Sequence, residues 1–526
     1  MRMWLSSTVP TVERQLIVVA LFLAIPAFGA RQTIPIEPVR IGKEPQFLFD
    51  QYIVDNSWAI HYKRQAVQRV VHQAKKHPDN PIIPPGDQPS YVAVIRDEDT
   101  GLFRMYYQAN FLIGADGLPD LNQETLPDFA AIAKKKGRKY KTHVAYAESK
   151  DGIHWTKPHL NLFPWFKGKN NNIVIGRRDD PNMETCSPAV LELPEADRNG
   201  FRYWILYRAK GRGDRENKGI RAAASKDGIH FEEADDHLVY HLHSDHPNTI
   251  VHDPTRGEYI LYCRAKDKYR AWGDNMFDTG ASRRVSRIGN DSLLTGWGEK
   301  GGPQTILVPD EIDNRSHFNF FYGMPVRIHA GAYFGFLEPF RMNDYIHTEL
   351  ATSRDGINWQ RFPQREKFIA YGNEGEWDDT MIFGSPSWVE VGDEWWFYYS
   401  GWDGPHGTPE RTGAIGLATL RKEGFVSMRG PHGGGVVCTR RLIWPGGKLL
   451  VNAAADEPKS EFKVRLSDAK RKPLPGFDYD DCVMFKGDAV RHAIEWKGGS
   501  IEDLKGKEIR IEFYLKQADL YAFLAK

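Results

Sequence analysis

The sequence predicts an all-β fold, a five-bladed β-propeller followed by a C-terminal β-sandwich. Three observations support this: an aromatic strand recurs five times, a second strand follows each copy, and a tight turn ends most second strands. Such repeats, about 64 to 76 residues apart, match the length of a four-stranded sheet with its loops. The five aromatic strands are Leu102–Gln108, Phe201–Ala209, Glu258–Ala265, Tyr333–Phe340 and Glu394–Gly401.

The turns have a structural explanation. Asp-Gly supplies the positive φ angles of a two-residue hairpin, and a Trp or Phe three residues after the Gly can fill the gap between adjacent sheets. A β-sandwich with similar hairpins is the alternative, but both halves of the unit recur in the same order. The third copy is degenerate, and the fifth has Glu423-Gly424. The regular turns are Asp151-Gly152 with Trp155, Asp227-Gly228 with Phe231, and Asp355-Gly356 with Trp359.

The N-terminus predicts a signal peptide over residues 1–29. Arg2 lies in a charged start, and the apolar run Leu16–Phe28 is too short to span a bilayer comfortably. Ala27-Phe28-Gly29 has the small residues of a cleavage site. We therefore expect a secreted or periplasmic protein, cleaved near Gly29, with no membrane span in the mature chain. An uncleaved anchor is the alternative.

The rest of the chain divides into two predicted domains. The propeller is expected over residues 31–428, with its blades at about 85–425. The Gly-rich stretch Arg429–Val437 then links to alternating strands over 436–526, which predict the sandwich. Cys186 and Cys263 lie in apolar strands and are expected to be buried thiols. Cys438 and Cys482 form a candidate disulfide.

Composition narrows the function. Lys and Arg total 70 against 69 Asp and Glu, so the chain lacks the basic excess of a nucleic-acid binder. Aromatic residues are 12% of the chain, which fits blade packing and also the stacking of rings on sugars. The expected partner is a carbohydrate. The sequence assigns no cofactor, and an axial Ca²⁺ stays open.

A propeller brings the first strand of each blade to the axis, so we looked for acids just before these strands. Two carboxylates across an axis can hydrolyse a glycosidic bond, one as acid and the other as nucleophile or base. Each acid alone is as well explained by a turn cap or a surface salt bridge. The candidate catalytic residues are Asp87, Glu184, Asp245, Asp378 and Asp379. The candidate substrate-binding residues are Arg208, Arg264, His317, Tyr322, Glu338 and Trp402.

This arrangement resembles the five-bladed propeller glycoside hydrolases of families 43 and 32, over about residues 77–425 and the trailing sandwich. Met183–Pro188 (METCSP) is similar to the Glu-Cys-Pro motif that carries the acid/base Glu of the invertase-type family, and Arg178–Pro181 (RDDP) echoes its Arg-Asp-Pro motif. The Asn-Asp-Pro-Asn-Gly nucleophile motif of that family is absent. The resemblance implies Glu184 as general acid, with Asp245 as base or nucleophile and Asp378 or Asp379 as modulator of its pKa.

The leading functional hypothesis is a secreted glycoside hydrolase, and a non-catalytic glycan-binding propeller is the first alternative. A second alternative is a metal-dependent hydrolase, since His241, His243, Asp245 and His246 match the His-x-His-x-Asp-His motif of dinuclear zinc enzymes. The Ser-x-Asp-Gly turns also resemble sialidase Asp boxes. They lack the residue between Asp and Gly, and no arginine triad can be assigned.

Overall fold

The computed structural model describes residues 37–60, 66–112, 140–163, 171–176, 183–191, 193, 195–198, 200–210, 219–240, 244, 246–265, 283–341, 344–408 and 411–526. The fold is all-β, with 49% strand and 3% helix, which confirms the predicted class and the scarcity of helix. Helix α1 (Glu311–Arg315) has five residues, and the 3-10 segments Glu195–Asp197 and Ile501–Leu504 have three and four. Within these ranges no helix has the length and apolar character needed to cross a membrane.

Five short strands come first along the chain. They are β1 (Val39–Arg40), β2 (Gln46–Phe47), β3 (Val54–Ala59), β4 (Gln68–Val71) and β5 (Lys75–Lys76). None of them pairs directly with another of the five. Instead, each pairs with strands from near the C-terminal end of the chain.

The repeats form five antiparallel sheets, numbered here in chain order. Sheet 1 holds β6 (Ser90–Arg96), β7 (Phe103–Leu112), β8 (Tyr140–Ser149) and β9 (Ile173–Ile175). Sheet 2 holds β10 (Glu184–Leu191), β11 (Tyr203–Lys210), β12 (Gly219–Ser225) and β13 (Phe231–Tyr240). Sheet 3 holds β14 (Thr249–Asp253), β15 (Glu258–Ala265), β16 (Arg284–Asn290) and β17 (Gln304–Leu307).

The other two sheets of this region are less regular. The pair β18 (Phe320–Phe321) and β21 (Pro339–Phe340) flanks sheet 4, which holds β19 (Val326–His329), β20 (Ala332–Leu337), β22 (Glu349–Ser353) and β23 (Trp359–Arg361). Sheet 5 holds β24 (Met381–Phe383), β25 (Val389–Val391), β26 (Glu394–Trp402) and β27 (Gly413–Arg421). The outer strand of sheet 5 is β5, where Lys76 pairs with Ala418. The chain therefore closes this sheet with a segment from before the first repeat.

Aromatic and aliphatic cores join each sheet to the next in a closed ring. Tyr106 packs with Ile205 between sheets 1 and 2, and the pattern continues through Leu206 with Leu261 between sheets 2 and 3. Tyr262 and Tyr333 share the next core, and Phe336 and Phe397 the one after it. Tyr398 and Phe103 close the ring between sheets 5 and 1. A sheet with two apolar faces is stable only between such neighbours.

The turns have the predicted glycine conformation but are longer than the predicted two-residue hairpins. Gly152, Gly228 and Gly356 have φ angles of 77°, 78° and 70°. Five residues separate the paired ends Ser225 and Phe231, and five separate Ser353 and Trp359, because the Asp side chain folds the loop by accepting backbone N–H groups. In each turn the Asp side chain accepts backbone N–H groups two and three residues later, as Asp227 does from Ile229 and His230 at 2.9 and 2.8 Å. The trailing aromatic residues pack between sheets as predicted. Trp155 packs against Tyr398, Phe231 against Tyr106 and Trp359 against Tyr262.

Two further six-stranded sheets, called here the tail sheets, contain the rest of the chain. Their C-terminal strands are β28 (Val426–Arg429), β29 (Gly435–Thr439), β30 (Leu442–Ile443), β31 (Leu449–Ala455), β32 (Glu461–Ser467), β33 (Gly487–Ala493), β34 (Glu508–Lys516) and β35 (Asp519–Ala525). One sheet takes in β1 and β3, and the other takes in β2 and β4. The sequence-based boundaries missed these strands, because β1 to β4 are short and their partners lie hundreds of residues away.

The four cysteines, Cys186, Cys263, Cys438 and Cys482, are buried free thiols. Cys438 on β29 pairs with Glu512 on β34, while Cys482 accepts the backbone N–H of Val464 on β32. Since β34 lies between β29 and β32, the two cysteines are about two strand spacings apart, roughly 10 Å. A disulfide needs Cα atoms within about 7 Å, so the candidate Cys438–Cys482 bridge is not formed.

Candidate active site

Side chains from four of the five sheets meet where the innermost strands begin. The His246 ring, just before β14, stacks on Tyr91 of β6 with centroids 3.8 Å apart. The same ring packs against Phe383 of β24 and against Tyr322, which follows β18. The meeting of these distant residues agrees with the expectation that the starts of the first strands converge.

Glu338 supplies the carboxyl group of this cluster. It follows β20, its side chain is fully buried, and its Oε1 accepts the Gly384 N–H at 3.0 Å. His246 Nε2 lies 3.9 Å from the same oxygen. Oε2 has no hydrogen-bond partner among the described residues. A carboxyl oxygen left free in a buried position is costly unless the group carries a proton.

Burial raises the pKa of Glu338 well above its usual value, against the opposing effects of the Gly384 amide and Arg283. The desolvation of a carboxylate outweighs one hydrogen bond and one cation here, because the group has no contact with solvent. Burial therefore favours the protonated form of Glu338, which is the form that can donate a proton. The sequence suggested a binding role for this residue, but its environment is that of an acid.

A polar frame surrounds Glu338. The Tyr91 and Tyr322 hydroxyl oxygens are 3.2 Å apart, and His406 Nε2 lies 3.4 Å from the Tyr322 oxygen. The Arg283 guanidinium lies 4.3 Å above the centre of the Tyr322 ring, close enough for a cation–π interaction. Hydroxyl, imidazole and guanidinium groups are those that hold sugar hydroxyls.

Apolar side chains form the remaining wall of the cluster, with Trp402 its largest member. Aromatic rings are suited to the apolar faces of pyranoses, and Tyr91 is the half-buried ring among them. The Arg411 guanidinium lies 4.9 Å from the Trp402 ring. The buried members of the wall are Tyr322, Phe340, Ile346, Met381, Phe383 and Trp402.

Glycine allows the close approach that builds the cluster. A Cβ on Gly323 would lie 1.8 Å from Pro247 Cδ, so a side chain at this position would push away the segment that holds His246. The backbone of Gly323 also accepts the Glu338 N–H at 2.9 Å, and Tyr322 donates its N–H to the Glu338 carbonyl at 2.7 Å. One stretch, residues 322–323, thus positions both Glu338 and His246.

Two of the predicted catalytic acids are held in ion pairs. Asp87 is 2% exposed, and its two carboxylate oxygens each accept from Lys157 Nζ at 3.1 Å. Asp378 is also buried, 2.6 Å from Lys76 Nζ, and accepts the Tyr399 hydroxyl at 2.7 Å. Each of these carboxylates is therefore held in place by a lysine and a tyrosine.

The other predicted residues have varied surroundings. Asp379 lies in a turn, where it accepts the Gly375 N–H at 2.8 Å. Glu184 begins β10 and is half-buried, and its backbone lies opposite that of Lys210 on β11. His317 is exposed just after α1, in the left-handed region with φ 64°. The two arginines lie on second strands, with Arg208 opposite Cys186 on β10 and Arg264 buried beside Ser244.

Several predicted residues lie outside the described residues. These are Asp245, Asp179, Asp180, His241 and His243. Of the proposed zinc motif only His246 is described, and its ring is packed among aromatic side chains. Across the described ranges, no group of three or more His, Cys, Asp or Glu is placed to hold a metal ion.

A cavity of about 1000 Å³ lies at the opposite ends of the innermost strands, lined by all five sheets. Two of its acids, Asp97 and Glu390, have lowered pKa values. Burial alone would raise the pKa of Asp97, but the Tyr203 hydroxyl, the Thr100 amide and Arg202 lower it to about 2. Because the buried acid with a raised pKa, Glu338, lies at the other end, we place the candidate active site there.

Sequence reasoning missed Tyr91, Arg283 and His406. Tyr91 has φ 49° within an irregular part of β6, which alternation alone does not reveal. His406 follows a Gly-Pro pair in the loop between β26 and β27, a segment without strand periodicity. The sequence does point to the burial of Glu338, because it is the one acid in the apolar run AYFGFLEPF.

No family model matches the chain, and neither does any curated protein. Solved structures give weak likenesses. An N-acetylgalactosamine deacetylase from F. plautii in complex with blood group B trisaccharide is 15% identical, covering 67% of this chain and 95% of its own, with a TM-score of 0.43. A structure from the GH130 family of mannoside phosphorylases, described as containing glycoside hydrolases that target β-1,2-mannosidic linkages in Candida mannan, is 14% identical over 67% and 94%, with a TM-score of 0.42. A thermostable family-43 glycoside hydrolase is 14% identical over 68% and 96%, with a TM-score of 0.39. Values this low do not establish an activity for this chain.

Proposed function

We propose that the protein is an exported glycoside hydrolase in which Glu338 is the general acid. The observation that carries this proposal is the Glu338 carboxyl, fully buried with one oxygen free among aromatic rings and hydroxyl groups. Burial raises its pKa, which favours the acid form. Glycosidic bond cleavage needs such an acid to protonate the leaving oxygen. Glu338 thus takes the role that the sequence analysis gave to Glu184.

The reaction also needs an ionised carboxylate that acts as nucleophile or activates water. We retain Asp245 for this role, because it directly precedes His246 in the sequence. Asp87 and Asp378 are less suited, since each carboxylate is bound to a lysine and a tyrosine. Their ion pairs fit a supporting role around the axis.

Substrate access must involve Tyr91. Glu338 and His246 are buried, while Tyr91 is partly exposed and its ring covers His246 at 3.8 Å. We propose that the sugar displaces or stacks on this ring, so that its leaving oxygen reaches Glu338 Oε2. Tyr322 and His406 would then hold sugar hydroxyls.

The test is release of reducing sugar from a panel of plant and algal oligosaccharides. Glu338→Gln should lower kcat by about 10²-fold to 10⁴-fold, the usual contribution of a general acid, while binding is retained. Glu512→Gln is the matched control. Glu512 is equally buried, but in the tail sheets, where it accepts from Arg465 at 2.8 Å. This variant should lose stability and keep its kcat once folded. Full turnover by Glu338→Gln would exclude the assignment.

A second candidate is a glycan-binding protein without turnover. The complete burial of Glu338 and the neutralised Asp87 and Asp378 favour it. In this case the wild type binds an oligosaccharide and releases no product, and Glu338→Gln changes affinity alone. Calorimetry with the same oligosaccharide panel separates the two candidates.

A further inference from the structure

A groove of about 740 Å³ crosses the tail sheets, remote in sequence from the candidate active site. Five lysines and two acids line it, an excess of three positive charges in one groove of a chain whose net charge is +1. The lysines are Lys459, Lys463, Lys486, Lys497 and Lys516, and the acids are Glu461 and Asp480.

The lysines lie on four adjacent segments. Lys516 of β34 reaches Glu461 of β32 at 2.6 Å, and Phe462 of β32 bridges to Phe485, beside Lys486. Cys482 in turn bridges to Trp496, beside Lys497. At a strand spacing of about 4.8 Å, these segments spread the positive charge over about 14 Å. A ligand that meets all of them is an extended chain rather than a single ion.

Three of these lysines have no acidic partner in the described part of the chain. They are Lys459, Lys463 and Lys497. By contrast, Glu461 binds Lys516, and Lys486 donates to the Ser460 carbonyl oxygen. Beside them, Val483 and Met484 are 47% and 42% exposed, unusual for apolar side chains next to a charged groove. The surface therefore offers cations together with an apolar strip.

We propose that this groove binds an anionic polysaccharide, one that carries carboxylate or sulfate groups. Ammonium groups on flexible stems suit charges repeated along a chain, and Val483 and Met484 suit the C–H faces of its sugar rings. A nucleic acid is disfavoured, because the groove has no aromatic ring for base stacking and includes two acids. A membrane is disfavoured because the surface is concave. The proposal does not depend on the proposed activity.

The test is affinity electrophoresis of the full chain through gels that contain polygalacturonate, dextran sulfate or neutral dextran. We expect retardation by one or both anionic polymers, weakening with added salt, and none by dextran. Retardation by polygalacturonate alone identifies carboxylate as the ligand group, and by dextran sulfate alone identifies sulfate. The groove variant carries Lys459→Gln, Lys463→Gln and Lys497→Gln. Loss of three surface ion pairs should weaken its binding by about tenfold to a hundredfold.

The control variant carries Lys43→Gln, Lys150→Gln and Lys226→Gln, three exposed lysines outside the groove. It has the same net charge as the groove variant and should bind within about twofold of the wild type. If both variants bound equally weakly, the net charge of the protein and not the groove would cause the retardation. The proposal is also overturned by retardation in dextran alone, by none in either anionic polymer, or by tighter groove-dependent binding of double-stranded DNA.

Discussion

A neighbouring lysine, more than burial, distinguishes the acids around the axis. Asp87, Asp378 and Glu338 are all nearly inaccessible, but only Glu338 lacks a lysine. Asp87 and Asp378 each have a lysine at hydrogen-bond distance. Glu338 has a raised pKa because desolvation outweighs the opposing effects of the Gly384 amide and Arg283.

Stability should therefore depend on pH through Glu338. The folded protein holds the Glu338 proton at a pH where the unfolded chain, with its ordinary pKa of 4.5, has released it. The free energy of unfolding falls as pH rises above this value and levels off above the folded pKa. Its slope is at most about 1.4 kcal/mol per pH unit for one proton.

Glu338→Gln removes this titration, so the variant should gain stability relative to the wild type as pH rises from 5 to 8. Urea unfolding at several pH values measures the difference. Parallel curves for the two proteins would mean that Glu338 is ionised in the folded state, which contradicts both the pKa and the role as acid.

At the level of strands and turns, tyrosines link three pairs of neighbouring sheets in the same way. Tyr106, Tyr262 and Tyr398 occupy the middle of a second strand, and each hydroxyl donates to the Gly carbonyl of an Asp-Gly turn. The distances to Gly228, Gly356 and Gly152 are 2.8, 3.0 and 3.0 Å. The aromatic repeat thus encodes a hydrogen bond between sheets as well as apolar packing.

A second set of tyrosines begins the second strands. Tyr203 and Tyr259 each donate to an Asp of the preceding sheet, Asp97 and Asp197, at 2.5 Å. Tyr333 donates to Asp253 in the same way. The contacts run from sheet 2 to 1, 3 to 2 and 4 to 3, so they fix the order of neighbours along the chain.

Removing one hydroxyl of the first set should cost about 1 kcal/mol, because a buried Gly carbonyl loses its partner. Tyr106→Phe, Tyr262→Phe and Tyr398→Phe should each lower the free energy of unfolding by this amount in urea titrations. Tyr52→Phe is the control, since Tyr52 is 45% exposed. An unchanged stability in all three variants would show that water replaces the hydroxyl at no cost.

The turn of the fifth repeat has Glu423 where the regular turns have Asp, and this Glu binds a residue of the tail sheets. Glu423 replaces Asp, has φ 59°, and is buried. Its carboxylate binds Arg491, which lies on β33 of the tail sheets, with one Nη1–oxygen distance of 2.7 Å. This turn therefore contacts the tail sheets, and Glu423 supplies the carboxylate for that contact.

For the whole molecule, the main finding is that residues 39–71 fold together with residues 426–525. Strands β1 to β4 complete the tail sheets, and residues 39–526 form one compact unit. The core of the tail sheets includes Val39, Leu48 and Ile53 together with Phe513 and Phe523. A β-sandwich over 436–526 alone would lack these side chains and leave sheet edges unpaired.

We therefore expect a fragment of residues 436–526 to show no cooperative unfolding transition. A fragment that joins residues 37–73 to 426–526 through a flexible linker contains every strand of the tail sheets and should show such a transition. Circular dichroism melts of the two fragments make the comparison. A sigmoidal transition in the shorter fragment would show that the N-terminal strands are dispensable.

The sequence alone determined the all-β class, the repeated strands, the positive φ of the Asp-Gly turns and the packing of Trp155, Phe231 and Trp359. These features are local, since alternation and turn chemistry act over a few neighbouring residues. The sequence also suggested Tyr322, Glu338 and Trp402 as substrate-binding residues, and that role stays a prediction.

Tertiary structure decided the rest. Lys157 neutralises Asp87 from 70 residues away, and Lys76 neutralises Asp378 from the far end of sheet 5. Whether a carboxyl is charged depends on which cations and how much water surround it, and no local pattern records these. The same holds for β1 to β4, because pairing between chain ends depends on edges that exist only after folding. Glu338 is the candidate acid because its neighbours exclude water from it and none of the described ones is a lysine paired with its carboxyl group.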